Sequence, residues 1–248
     1  MAKGTGGNIV VKTWVVGDIH GCAEELAELL EQIQLGPEDR FISVGDLYHR
    51  GPDPVGVLDI LNALPNFDLV LGNHERVMLE RFGLAGELAD GTDATSVPED
   101  LVVSTEQELA GDGGTPMKNV DPSRGADLIR ILENRAYFLK GTQAGQDWLI
   151  VHAGVLPGVA VEETSPFALS RLRRLEGLPG SPYWYETWNG PELILFGHTP
   201  ASLPRTRFLG ERLVALGLDT GCVYGGCLTA YCLEDESMAR VDAKRSWA

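Results

Sequence analysis

All five histidines of this chain lie in short, polar, glycine-bearing motifs. The motifs read Gly17-Asp18-Ile19-His20-Gly21, Gly45-Asp46-Leu47-Tyr48-His49-Arg50-Gly51, Gly72-Asn73-His74-Glu75, Val151-His152-Ala153-Gly154 and Gly197-His198-Thr199. Four of the five follow or contain a run of β-prone apolar residues, the pattern of a site assembled from strand ends. The donors on offer are nitrogen and oxygen: Asp18, His20, Asp46, Asn73, His152 and His198. Two divalent ions about 3.5–4 Å apart clamp a transferring phosphoryl group, activating water and stabilising transition-state charge. Such a centre needs a bridging carboxylate, several imidazoles and hard oxygen donors, and this chain supplies all three. Mixed imidazole and carboxylate ligation suits Mn, Fe, Zn or Co and does not choose among them. A lone histidine beside an apolar strand is more often a core residue. Five in such motifs are hard to explain by packing.

The elements that must carry these residues follow from hydrophobic periodicity. Ile9 to Val16 reads as a strand ending at Gly17-Asp18, and Cys22 to Gln34 as a helix with Leu26, Leu29, Leu30 and Ile33 on one face. Gly36-Pro37 stops that helix. Phe41 to Val44 and Phe67 to Leu71 read as strands, with a helix from Pro54 to Leu64 between them. Alternation of strand and helix predicts βαβ units and a parallel sheet. Further on, a helix is expected over 126–133, strands over 137–139, 148–151, 193–196, 213–218 and 228–233, and a basic helix from Ser165 to Leu175. The last part reads as antiparallel β. No repeat or second domain boundary is evident, so a single domain over 9–240 is expected.

Between Glu87 and Asp112 lie eight acids, and no Lys or Arg occurs between Arg81 and Lys118. This predicts a solvated acidic insertion over about 87–125, either a cap or a disordered loop. The net charge is −16, which opposes binding to duplex nucleic acid, since that requires a basic face. No apolar run of 18 residues is present, and the N-terminus lacks an apolar signal core, so a cytoplasmic protein without a membrane partner is expected. Cys22, Cys222, Cys227 and Cys232 form no Cys-x-x-Cys pair. Buried thiols are the expectation, a redox or metal role the alternative.

The run GDIHG, GD…RG, GNHE, HAG and GHT resembles the PPP-type phosphoprotein phosphatases and the symmetrical diadenosine tetraphosphatases, within the calcineurin-like metallophosphoesterases. The resemblance covers residues 17 to about 233, with the motifs in the family's order. It implies an α/β fold, a four-layer α/β/β/α sandwich. It implies that Asp18 and His20 hold one metal, that Asp46 bridges, and that Asn73, His152 and His198 hold the second. Manganese is the expected ion, with Fe, Zn, Co or Ni as alternatives. It further implies His74 as the general acid, Arg50 as the phosphate-binding fork, and direct attack on phosphorus by a metal-bound water or hydroxide.

The chain departs from the protein-phosphatase pattern GD-x-x-D-R-G at His49, where relatives keep an aspartate that supports the catalytic histidine. Two close imidazoles disfavour each other's protonation. His49→Asp is therefore expected to raise activity toward poor leaving groups, unless Glu75, Asp53 or water supplies the missing support. The diadenosine tetraphosphatases also lack that aspartate, and the segment Leu218 to Thr229 resembles their ends. Glu75 fits the protein phosphatases better. A PPP-type serine/threonine phosphatase acting on phosphoproteins is the first expectation, a dinucleoside tetraphosphate hydrolase the second, and a weakly active module that binds phosphorylated ligands the third. Arg171, Arg173 and Arg174 are expected on a solvated helix face, with a second phosphate contact as the alternative. Tyr183, Trp184, Tyr185 and Trp188 are expected to pack a core or lid, with adenine stacking as the alternative.

Overall fold

The computed structural model describes residues 11–81 and 122–248. The expected acidic insertion falls outside these residues as far as position 121. The order of elements is β1 (Thr13–Val16), α1 (Ala23–Ile33), β2 (Arg40–Ser43), α2 (Pro54–Ala63), β3 (Phe67–Leu69), α3 (Asn73–Arg81), α4 (Pro122–Arg130), β4 (Phe138–Gln143), β5 (Gln146–Val151), α5 (Pro166–Arg171), α6 (Trp184–Thr187), β6 (Leu193–Phe196), β7 (Arg205–Leu209), β8 (Arg212–Gly217), β9 (Cys227–Cys232) and β10 (Met238–Asp242).

The strands form two five-stranded mixed sheets, ordered β10-β9-β1-β2-β3 and β4-β5-β6-β8-β7. In the first, β1, β2 and β3 run parallel, β9 is antiparallel to β1, and β10 is antiparallel to β9. In the second, β5, β6 and β8 run parallel between antiparallel edges. Successive strand residues point to opposite faces, so each strand feeds two cores. Val15, Ile42 and Val44 from one sheet meet Trp148, Ile150, Leu193, Leu195 and Leu216 from the other. Trp14, Val16 and Phe41 pack outward on α1 and α2 through Leu26, Leu29, Leu58 and Leu61. Leu149, Val151, Ile194 and Phe196 pack outward on Leu169, Trp184 and Tyr185. Helix, sheet, sheet and helix thus make the four expected layers.

Helix α1 forms because its apolar residues recur on one face, and it stops at Gln34, which takes the left-handed conformation. Helix α2 starts with Pro54 behind Asp53, whose side chain accepts from the Gly56 N–H as an N-cap. Asp53 is thus committed to capping α2. The parallel strands of both sheets end toward one edge of the sandwich, and the five motifs follow those ends. Ligand sites on α/β sheets lie at the carboxyl ends of strands for this reason.

Three expectations need correction. The basic helix stops at Arg171, because Leu172 adopts an extended conformation, so Arg173 and Arg174 lie beyond it. Arg171 is buried and Arg173 half-buried, and only Arg174 is on the solvated face expected of all three. Its guanidinium lies over the Tyr183 ring, 3.9 Å from the centroid. The Gly72-Asn73-His74-Glu75 motif does not simply end a strand but opens helix α3. The aromatic cluster packs as expected: Trp184 is fully buried, donates from Nε1 to the Ala153 carbonyl, and meets Phe196 edge-on.

Candidate metal centre

Asp18 and His20 lie on the loop after β1, Asp46 to Arg50 on the loop after β2, Asn73 to Glu75 on the first turn of α3, His152 after β5 and His198 after β6. Six donors expected from sequence are therefore brought together from both sheets, and all are buried. Asp46 is central. Its Oδ2 lies 3.6 Å from His20 Nε2, 3.5 Å from His152 Nε2 and 3.9 Å from His74 Nε2. Donor atoms of His20, Asp46 and His74 lie within 4.8 Å of one another, and so do those of Asp46, His152 and His198. One carboxylate thus belongs to two adjacent clusters. Asp18 lies a little outside them, 4.0 Å from His20 Nε2, with both oxygens accepting from the His198 backbone N–H. His74, expected as an acid, lies beside Asp46 in the first of these clusters.

The tautomers follow from the partners. His152 Nδ1 is 2.8 Å from the Val44 carbonyl, which only accepts, so Nδ1 carries the proton and Nε2 presents a lone pair. That lone pair faces the Asn73 Oδ1 at 3.1 Å as well as Asp46. Arg50 Nη1 donates toward His20 Nε2 at 3.3 Å. His198 Nε2 is shielded from solvent and has no hydrogen-bond partner among the described residues. Lone pairs converging on carboxylates are unfavourable until a cation lies between them. A backbone carbonyl fixing the far ring nitrogen is the usual support of a metal-bound imidazole. The donor set therefore fits divalent metal ions.

The electrostatics agree. Burial, then the charges of Asp219 and Asp46, push the Asp18 carboxyl well above its usual range. Burial holds His20 and His198 well below the usual imidazole range, and His152 is pushed down to about 4, also chiefly by burial. Asp219 is pushed up to about 6 by burial. The site is a buried group of carboxylates and neutral imidazoles, which is stabilised by bound positive charge.

The backbone is strained where it positions this chemistry. Among the described residues nine non-glycine positions have positive φ, and His20 (48°), Asp46 (55°), Arg50 (76°) and His198 (63°) are four of them. Such conformations cost on the order of 1 kcal/mol each and persist only when their surroundings fix them. Here the fixing contacts are visible: His20 N–H donates to the Asp46 carbonyl, and Arg173 Nη2 donates to the His198 carbonyl at 3.0 Å. Glycine is required at 72 and 197, because a Cβ there would collide with the carboxylates of Asp46 and Asp18, respectively.

Two further buried carboxylates lie at the site in places that sequence reasoning did not give them. Glu75 accepts from the backbone N–H groups of Asp46 and Leu47, both at 2.8 Å, and of Gly72 at 3.0 Å. Its carboxylate therefore holds the Asp46 loop, a role independent of the substrate. It is pushed up to about 7 by burial and by the Asp46 charge. Glu75→Gln puts an amide N–H₂ against a backbone donor and is expected to cost about 1–3 kcal/mol of stability. Urea unfolding of the variant checks this, and an unchanged midpoint would count against the role. Asp219 is the second. It follows the apolar run 213–218, as Asp18 and Asp46 follow theirs, and that shared pattern could have revealed it.

The arrangement defines a class, and the comparisons agree. The family model for calcineurin-like phosphoesterases matches residues 11–214, so the chain belongs to that family and is a metal-dependent phosphoesterase. It is 30% identical over 234 residues to the asymmetrical bis(5'-nucleosyl)-tetraphosphatase PrpE of Geobacillus thermodenitrificans, covering 87% of this chain and 88% of that one. It is 31% identical over 268 residues to the symmetrical bis(5'-nucleosyl)-tetraphosphatase of Erwinia tasmaniensis, covering 92% and 96%. A crystal structure provisionally described as a diadenosine tetraphosphatase superposes with a TM-score of 0.67 at 24% identity, covering 95% of each chain. The names of the two sequence relatives agree better with the second sequence expectation than with the first. Among the described residues no helix is long and apolar enough to cross a membrane.

Proposed function

We propose that the chain hydrolyses bis(5'-nucleosyl) tetraphosphates in the cytoplasm with two divalent ions, manganese first. Asp18 and His20 would hold one ion, Asn73, His152 and His198 the other, with Asp46 between them. Two ions held there supply activation of water and neutralisation of phosphate charge. Around them the chain's own groups bind and orient. Arg50, beside His20, presents a planar fork to a phosphate. His74 lies next to Asp46 and within the site, in position to protonate the departing oxygen.

The observation that carries the polyphosphate reading is the convergence of arginines on this edge of an acidic protein. Besides Arg50, Arg173 Nη2 donates to the His198 carbonyl at 3.0 Å, and Arg171 is buried two residues before it. A phosphate monoester does not call for three guanidinium groups, whereas a chain of four phosphates does. Tyr224 adds to this: its ring is 43% exposed, and Arg50 lies 5.8 Å from its centroid. An exposed aromatic beside a phosphate fork is suited to stacking a base.

The test offers manganese-loaded protein diadenosine tetraphosphate, p-nitrophenyl phosphate and a phosphoserine/phosphothreonine peptide. Turnover of the dinucleotide well above the others is the expected result. ADP as sole product identifies symmetrical cleavage, and ATP with AMP asymmetrical cleavage. Turnover of the phosphopeptide alone would restore the protein-phosphatase reading. No turnover by protein holding two metals would support the binding module.

A further inference from the structure

A second group of metal-type donors lies behind the catalytic loops. Cys22, Glu25 and Cys222 have donor atoms within 4.8 Å of one another, and all three are buried. Cys22 occupies the N-cap position of α1 without a side-chain capping bond, and Glu25 lies in the first turn, so one helix end supplies two of the donors. Cys222 comes from the opposite end of the sequence, on the loop between β8 and β9. The Lys244 backbone N–H donates to Glu25 Oε1 at 2.8 Å, which fixes the carboxylate from outside. Among the described residues no ion pair involves Glu25. The Cys22 thiol makes a weak, 3.9 Å contact to the His20 carbonyl, so two sulfurs and one carboxylate oxygen are on offer to a cation.

We infer that Cys22, Glu25 and Cys222 form a third metal site, for a zinc-class thiophilic ion, separate from the phosphoesterase centre. Two sulfurs and one carboxylate suit such an ion and do not suit magnesium or calcium. With Zn–S of about 2.3 Å and Zn–O of about 2.1 Å, tetrahedral donors lie about 3.6–3.8 Å apart. A contraction of about 1 Å brings the three donors into that range. Binding releases the thiol protons to solvent and leaves the metal's oxidation state unchanged. Cys22 is two residues beyond His20, and Cys222 is three beyond Asp219. The ion therefore ties together two loops that frame the catalytic centre, with its fourth coordination position left to a water.

Cadmium is the probe, added to the purified full chain in the reduced state. The catalytic donors lack sulfur, so only a thiolate site gives an ultraviolet thiolate-to-cadmium charge-transfer band. The expected band saturates at one ion per chain. Cys22→Ser and Cys222→Ser each remove at least half of it, and native mass spectrometry finds one ion fewer in each than in the wild type. Cys227→Ser/Cys232→Ser keeps the full band; because it retains the proposed ligands, it tests the site even if the other variants fail to fold. No band in this double variant, or a band untouched by both single replacements, would overturn the site. A wild-type chain isolated with Cys22 and Cys222 joined as a disulfide would also overturn it.

Discussion

Asp46→Asn is expected to lower kcat by about 10³-fold or more and to remove bound manganese from both positions at once. The bridging geometry is the reason. Asp46 is shared by the cluster with His20 and His74 and by the cluster with His152 and His198. Asparagine keeps the shape but loses the charge that offsets two cations. If two ions supply several kcal/mol of transition-state stabilisation, losing about 4 kcal/mol corresponds to about 10³ in rate. Asp46 Oδ1 also accepts from the His74 backbone N–H at 3.2 Å, and the amide oxygen of Asn can keep that bond. The variant should therefore stay folded, with a circular dichroism spectrum like the wild type. Equilibrium dialysis against manganese separates the outcomes. Full activity, or retention of two ions, would mean that Asp46 is not the bridge.

Much of this centre was legible because its chemistry and its backbone need the same residues. A strand that ends in Gly-Asp or Gly-His is visible as an apolar run followed by a polar stop, and the two sheets place those stops side by side. The expected strand and helix before position 35 match β1 and α1 to within a few residues, Ile9 and Val10 lying outside the described residues. Helix α3 escaped because its sequence, Asn73-His-Glu-Arg-Val-Met-Leu-Glu-Arg81, is strongly polar, and only Met78 and Leu79 of its apolar residues enter the core. Strands β7 and β10 escaped because they are short and charged, as sheet edges tend to be. The inward turn of Arg171 depends on where its helix stops, and that is decided by packing against a strand layer far away in sequence. The left-handed backbone at His20, Asp46, Arg50 and His198 has no sequence marker, since none of them is glycine. The Glu75 fit to the protein phosphatases does not decide the substrate, for a similar reason. Its carboxylate serves backbone amides, which carry no information about substrate.

The His74–His49 pair is expected to separate the two phosphatase readings by leaving group. The rings lie 4.4 Å apart, and both are buried. Burial first, then the charges of His49, His20 and Arg50, push His74 well below the usual imidazole range. It is thus a reluctant proton holder at neutral pH. A serine alkoxide is a strong base and cannot leave without a proton, so general acid catalysis there contributes about 10²–10⁴-fold. A nucleotide phosphate leaves as an anion whose own second pKa is about 6, and it needs little help. Histidine at position 49, where the protein phosphatases keep an aspartate, is therefore a small loss for a tetraphosphatase and a large one for a protein phosphatase. His74→Ala should cost about 10²-fold or more on an alkyl phosphate and much less on diadenosine tetraphosphate. His49→Asp places a negative charge where a second imidazole stood, and an opposite charge at that range favours the protonated imidazole. The protonated form of His74 then survives to higher pH, so the basic limb of the kcat/KM profile should move upward for the alkyl phosphate. The rate on that substrate should rise about tenfold, the gain in protonated fraction when an imidazole pKa rises by about one. The dinucleotide rate should hardly change. Equal losses on both substrates in His74→Ala would remove His74 from the acid role, and an unmoved pH profile in His49→Asp would remove His49 from the control of it.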